Sequence, residues 1–178
     1  STPITLPIPG IDKQGVYPII KKMGYLKEVV SKVKQAKRIL VIGGGFIGVE
    51  FADELAKIEG LEVTLVEMLP QVLANSFDAE FSTQAEEILR KKKINVLTST
   101  RIDEIIGENA VEKVKFSNGE IREIDGIILG IGSKPNVALA EEAGLDLGRC
   151  NGIWVDEYMR TNDPYIFAIG DCSCKRDF

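Results

Sequence analysis

The sequence predicts an α/β fold: a parallel sheet with crossover helices, interrupted before its last strand by a three-stranded antiparallel meander. Three observations predict it. Short apolar runs alternate with helical patterns between residues 38 and 97. Short alternating runs then follow, with Asn118-Gly119 at a hairpin position. A continuous apolar run, DGIILGI at Asp125–Ile131, comes after them and suits a strand buried on both faces.

The elements follow in order. Four of the seven prolines lie in residues 1–20, at 3, 7, 9 and 18, so that stretch reads as an extended lead-in rather than a folded element. Met23, Leu26, Val29, Val30 and Val33 recur at helical spacing over 22–34. A first strand spans Arg38–Ile42. A helix from Phe46 to Ile58 carries Ile47, Phe51, Leu55 and Ile58 on its buried side, and Gly60 ends it. A second strand covers Glu62–Val66. Asp78 is placed to cap a helix running to Lys92, with Phe81, Ala85, Ile88 and Leu89 inward. Asn95–Leu97 is a third strand. Residues 100–106, 110–116 and 120–124 form the meander, 125–131 the returning strand, and 136–143 a short helix. Residues 150–178 have extended character. The organisation expected is a lead-in linker at 1–20, a main α/β domain at 21–149 and a tail at 150–178.

Composition narrows the function. The chain has 178 residues, 44% hydrophobic and 28% charged, which are globular values with enough length for a real core. Net charge is −5, and no basic patch dominates, which argues against nucleic acid as a main partner. Arg90, Lys91, Lys92 and Lys93 read as the cationic end of a helix. No apolar run approaches the ~20 residues of a membrane helix, and the first residues lack the basic start and apolar core of a signal peptide. Cys150, Cys172 and Cys174 do not make a secreted disulfide framework, and a reducing cytoplasm fits. The chain contains no histidine, so triads that use it and His-ligated metals are excluded. No metal site is expected, because Cys172-Ser173-Cys174 has no paired ligand cluster.

The stretch RILVIGGGFIGVE, Arg38–Glu50, carries the most chemistry. A strand runs into Gly43, Gly45 and Gly48 at GxGxxG spacing, and a helix opens at Phe46. Gly43 allows the turn, Gly45 lets a pyrophosphate approach the backbone, and Gly48 lets helix and strand pack closely. The helix N-terminus turns unpaired N–H groups and a partial positive charge toward the phosphates. After a second strand comes Glu67, 24 residues beyond Gly43, near the distance at which a dinucleotide site places the acid that binds the adenosine ribose. That carboxylate repels a 2′-phosphate, and Met68 follows with no adjacent arginine, so NADH is favoured over NADPH. This is a Rossmann-like arrangement. Two further segments stand at strand ends: Gly130-Ile131-Gly132-Ser133-Lys134-Pro135-Asn136, and TNDPYIFAIGDCS, in which a strand at Tyr165–Ile169 leads into Gly170-Asp171.

With IGGGFIGVE, VEMLP, GIGSKPN and TNDPYIFAIGD in this order, the chain resembles the flavin-dependent pyridine nucleotide-disulfide oxidoreductases over nearly its whole length. Within them it looks most like the NADH oxidase, coenzyme A-disulfide reductase and rubredoxin or nitrite reductase-like group, of FAD/NAD(P)-binding domain type. The resemblance implies that Gly43, Gly45, Phe46, Ile47 and Gly48 bind the NADH pyrophosphate, the two apolar residues through their amides. It implies that Phe46 is the aromatic lid over the flavin, that Glu50 sits near the nicotinamide, that Glu67 binds the ribose and that Gly132 lines the nicotinamide side. Asp171 matches the residue that hydrogen-bonds the ribityl chain of FAD. No catalytic residue is expected in this chain, because the hydride chemistry belongs to NAD(H) and FAD.

The resemblance also implies a longer parent. No second GxGxxG precedes residue 38, so the FAD domain, a redox cysteine and an interface domain are expected elsewhere. The chain is then the NAD(H)-binding part of a flavin-dependent oxidoreductase, inactive in isolation. Its partners are NADH and the parent's FAD domain, and its tail is expected to be either disordered or covered by a neighbouring chain, which includes homo-oligomers. Two alternatives stay open: a non-catalytic dinucleotide-binding module, and a domain for another adenine nucleotide.

Overall fold

The computed structural model describes residues 1–175. In chain order the elements are β1 (Thr2–Pro3), β2 (Val16–Pro18), α1 (Met23–Val33), β3 (Arg38–Ile42), α2 (Phe46–Leu55), β4 (Glu62–Val66), α3 (Ala79–Lys91), β5 (Asn95–Leu97), β6 (Ile102–Ile106), β7 (Lys113–Phe116) and β8 (Ile121–Glu123). They continue with β9 (Gly126–Leu129), β10 (Ser133–Lys134), α4 (Ala138–Glu142), β11 (Ile153–Val155) and β12 (Ser173–Lys175). The chain divides into two compact units, Thr5–Gly132 and Ser1–Ile4 with Ser133–Phe178.

The larger unit is built on a five-stranded sheet of order β2-β9-β3-β4-β5, parallel throughout. Alternation along its strands sends side chains to two cores. Ile39, Val41, Val63, Leu65, Val96 and Ile128 join α1, α2 and α3 on one face. Leu40, Ile42, Val66, Ile127 and Leu129 meet Ile105, Val114 and Phe116 of the β6-β7-β8 meander on the other. Helices thus cover one face and the meander the other, as a sheet of apolar strands requires.

Two expectations for this unit need correction. Val16–Pro18, read as part of an extended lead-in rather than a folded element, is one of the two edge strands and pairs with Ile127–Leu129. Pro18 is tolerated there because an edge strand has a side without ladder bonds. On α3 the buried residues are Ser82, Glu86 and Leu89, while Phe81 and Ile88, expected inward, are 57% and 52% exposed.

A clamp ties the start of β3 to the start of β9. Asp125 Oδ2 accepts the backbone N–H groups of Lys37 and Arg38 at 2.9 and 2.8 Å, and Oδ1 accepts Arg38 Nη2 at 2.9 Å. Glu123 also pairs with the Arg38 guanidinium. The Arg38 hydrogen bond above all, with the two backbone donors, holds the Asp125 carboxyl below its ordinary value of 3.8 against the opposing effect of partial burial. A carboxylate depressed in the folded state contributes stability above its unfolded pKa and loses it as pH falls through the folded one. Asp125→Asn should therefore lower the urea midpoint at neutral pH, by about 1 kcal/mol of stability. Its deficit relative to the unaltered protein should shrink as the pH is taken below about 4. A deficit independent of pH between 3 and 7 would refute the assignment.

In the smaller unit β1 pairs antiparallel with β10, and β11 runs parallel to β12. Among the described residues of the tail, β11–β12 pairing buries Val155 and Cys174 locally. The expected strand at Tyr165–Ile169 is absent. One bridge, Arg160 with Phe167, stands there instead, and Tyr165, Phe167 and Ile169 are exposed. Cys150 and Cys174 are joined by a disulfide, a pairing that the cysteine count and spacing did not indicate, and Cys172 is free. No helix among the described residues is long and apolar enough to cross a membrane.

Candidate functional site

The site forms where three central strands of the larger unit end together. Ile42 is in register with Val66 on one side and Leu129 on the other. The next residue on each strand is therefore Gly43, Glu67 and Gly130, side by side at the carboxyl edge of the sheet. Ligands of open parallel sheets bind at that edge.

The glycines there have different physical reasons. Gly43 turns the chain with φ +103°, which only glycine adopts without strain. A Cβ on Gly48 would lie 1.7 Å from the Gly43 carbonyl oxygen, and one on Gly130 would lie 2.7 Å from Gly48 Cα. So the turn, the first turn of α2 and the end of β9 touch backbone to backbone. A Cβ on Gly44 would meet the Glu67 side chain at 2.9 Å. Gly45 differs: it is exposed, its φ of −75° and ψ of −175° suit any residue, and a Cβ there meets nothing within 4 Å. The fold does not require glycine at 45.

Gly45 is the N-cap of α2, and its carbonyl accepts the first intrahelical bond, from Val49 at 2.9 Å. The N–H groups of Phe46, Ile47 and Gly48 precede that bond and have no acceptor within the helix. Together with the helix dipole they make a donor set for an anion.

Glu67 is buried and faces the turn. Its Oε2 accepts the Gly44 N–H at 2.5 Å and its Oε1 the Leu69 N–H at 2.8 Å. From the other side, Leu73, at φ +58°, donates its N–H to the Gly44 carbonyl at 2.7 Å. Gly44 is thus held at both its polar atoms. An ionised carboxylate has about four acceptor sites, and these two bonds leave the others for a ligand hydroxyl.

Phe46 is 60% exposed, and its ring packs edge-on against Phe77 with centroids 5.6 Å apart. Glu50 is exposed one helical turn on, and the two line a groove between α2 and α3 with Val49, Asp53, Ile88 and Lys92. Gly132, at φ +91°, ends the segment that leaves β9 past Gly43. Gly43, Gly45, Phe46, Ile47, Gly48, Glu50, Glu67 and Gly132 therefore belong to the larger unit. Asp171 belongs to the smaller one, exposed in the single-turn helix Gly170–Cys172.

The GxGxxG pattern does not point to Gly44, Gly130 or Leu73. For Gly130 a signal was available: the glycine directly after a strand that ends level with the turn. Nothing local marks Leu73, whose role depends on where the loop after β4 folds back.

The chain is similar to known proteins in sequence and fold. Residues 1–177 match the pyridine nucleotide-disulphide oxidoreductase family. An NADH oxidase of Methanocaldococcus jannaschii is 35% identical over 99% of this chain and 39% of its own. The structure of an NAD-dependent persulfide reductase from A. fulgidus superposes with a TM-score of 0.88 at 38% identity, over 97% of this chain and 32% of that one. A water-forming NADH oxidase from Lactobacillus brevis, solved bound to NADH, gives 0.84 at 32%, over 96% and 37%. The chain spans about two fifths or less of each of these relatives. Fold, site geometry and a match over almost every residue lead to one conclusion: the chain belongs to the pyridine nucleotide-disulphide oxidoreductase family.

Proposed function

We propose that this chain binds NADH at the glycine turn and, within a larger flavoenzyme, positions the nicotinamide for hydride transfer to FAD. When bound, the nicotinamide would supply a hydride for which FAD would be the acceptor, with oxygen, a disulfide or persulfide, or a small redox protein as the final electron acceptor. The chain's own residues bind and orient. The α2 amides hold the pyrophosphate, with Gly43, Gly45, Phe46, Ile47 and Gly48 at the contact. Glu67 takes the adenosine ribose hydroxyls, Phe46 covers the flavin until the nicotinamide arrives, and Glu50 and Gly132 line the nicotinamide side. Asp171 meets the ribityl chain of FAD, and exposed Tyr165, Phe167 and Ile169 supply an apolar seat for the FAD domain.

Gly45 carries this reading. Its neighbours need to be glycine for the chain's own packing, whereas Gly45 leaves open space above an unpaired helix N-terminus. A group from outside explains that space, and a phosphate matches its donors. The NADH oxidase bound to NADH supports the identity of the ligand.

The test is calorimetric titration with NADH, NADPH and FAD in parallel. NADH should bind below millimolar concentration and more tightly than the other two. Gly45→Ala should keep the melting temperature within about 2 °C, because the added methyl meets nothing in the fold. It should nevertheless weaken NADH at least roughly tenfold by holding the pyrophosphate off the backbone. No NADH binding at millimolar concentration, or full affinity in Gly45→Ala, would remove the basis of the proposal.

A further inference from the structure

The register of α3 is unusual for its sequence. The helix turns Glu86 inward, 8% exposed, and leaves Phe81 and Ile88 in solvent. Burying a carboxylate is unfavourable unless it is paired and hydrogen-bonded, and a buried polar group is more informative than an exposed apolar one. Glu86 has two partners. Its Oε2 pairs with Arg90 Nη1 at 2.9 Å on the same helix. Its Oε1 accepts the backbone N–H of Val72 at 3.2 Å, across 14 residues of sequence.

Val72 is fully buried in the loop between β4 and α3. The next residue, Leu73, donates its N–H to the Gly44 carbonyl. Glu86 is therefore two bonds removed from the glycine turn, through the Val72–Leu73 backbone. Gly44 is held on its N–H by Glu67 and on its carbonyl by a loop that Glu86 anchors.

We propose that Glu86 is a positioning residue for NADH binding: it fixes the loop after β4 so that Leu73 holds the glycine turn in the conformation that accepts a pyrophosphate. This rests on the NADH reading of the site. Glu86 touches no ligand itself, so its effect falls on affinity rather than on hydride transfer.

The test uses Glu86→Leu and Glu86→Gln in the purified protein, with NADH affinity and melting temperature measured on the same samples. Leucine fills the buried site but accepts no hydrogen bond, so the buried Val72 N–H loses its acceptor and some stability is lost, while Arg90, half exposed, can turn to water. Glu86→Leu should melt a few degrees below the unaltered protein but remain folded at the titration temperature, and bind NADH roughly tenfold more weakly, the size of one charge-assisted hydrogen bond. Glu86→Gln keeps an acceptor for Val72 and should bind within about threefold of the unaltered protein. Where the protein turns over NADH, KM should rise in Glu86→Leu with kcat unchanged. Should the leucine variant not fold, the glutamine variant decides through amide exchange. Leu73 and Gly44 should then stay as protected as in the unaltered protein, and faster exchange with retained affinity overturns the proposal. Full NADH affinity in a folded Glu86→Leu, or an equal loss in Glu86→Gln, also overturns it while leaving the NADH site standing. An unaltered protein that does not bind NADH defeats the site reading and this inference together.

Discussion

Gly48→Ala should lower the melting temperature by roughly 4–8 °C and reduce NADH binding beyond tenfold. The added methyl would sit 1.7 Å from the Gly43 carbonyl oxygen, and both sides of the clash are backbone. No rotamer change relieves it. Either α2 moves off the sheet or the turn opens. Gly130 closes the escape on another side, because the end of β9 already packs on Gly48 Cα. Overpacking of this kind costs about 1–3 kcal/mol or more, and the better helix propensity of alanine offsets roughly 0.5–1 kcal/mol of it. The net is about 2 kcal/mol. Binding falls further than stability because the helix N-terminus that carries the donors is the part displaced. Gly24→Ala is the control: Gly24 lies in α1, and a methyl added there meets nothing within 4 Å, so that variant should be neutral or slightly stabilised. Equal melting temperatures for the two variants would show that the contact is not the reason for glycine at 48.

The contrast between glycines also shows what could be read from sequence. The strand-turn-helix-acid arrangement from Arg38 to Glu67 was legible because short-range pattern dictates it: an apolar run, glycines at fixed spacing, a helix, and an acid at the end of the next run. The meander was legible for the same reason, through alternation and the Asn118-Gly119 turn. What failed depended on distant partners. Val16 becomes a strand only because Ile127 lies beside it. Tyr165–Ile169 is a short continuous apolar run like a strand, but its one pairing is the Arg160–Phe167 bridge. Phe81 and Ile88 carry the stronger apolar signal on α3, yet a loop that folds back under the helix draws Glu86 inward instead. The site divides in the same way. The residues proposed to contact the ligand follow a sequence motif, whereas Leu73 and Glu86, which hold that motif in shape, are set by tertiary structure.

Glu67→Ala should weaken NADH by about a hundredfold, and it should narrow the preference for NADH over NADPH. Two effects combine in the first number. The Gly44 and Leu69 N–H groups lose their acceptor, at about 1–3 kcal/mol for each donor left buried without one. The ribose hydroxyls lose the remaining lone pairs of the carboxylate. Loosening of the turn weakens both nucleotides alike, since both carry the same pyrophosphate. The second effect separates them. In the proposed site the carboxylate would attract the 2′-hydroxyl of NADH and repel the 2′-phosphate of NADPH, so its removal should weaken NADH through both routes and relieve a repulsion for NADPH. Parallel titrations of the two nucleotides against the unaltered protein and Glu67→Ala resolve these contributions. A loss equal for both would mean that Glu67 only braces Gly44, and that the ribose is read by another group. A loss confined to NADH would mean that Leu73 alone suffices to hold the turn. The proposed site predicts the intermediate result: both affinities fall, and NADH falls further, because the carboxylate that holds Gly44 and Leu69 would read the ribose with its remaining lone pairs.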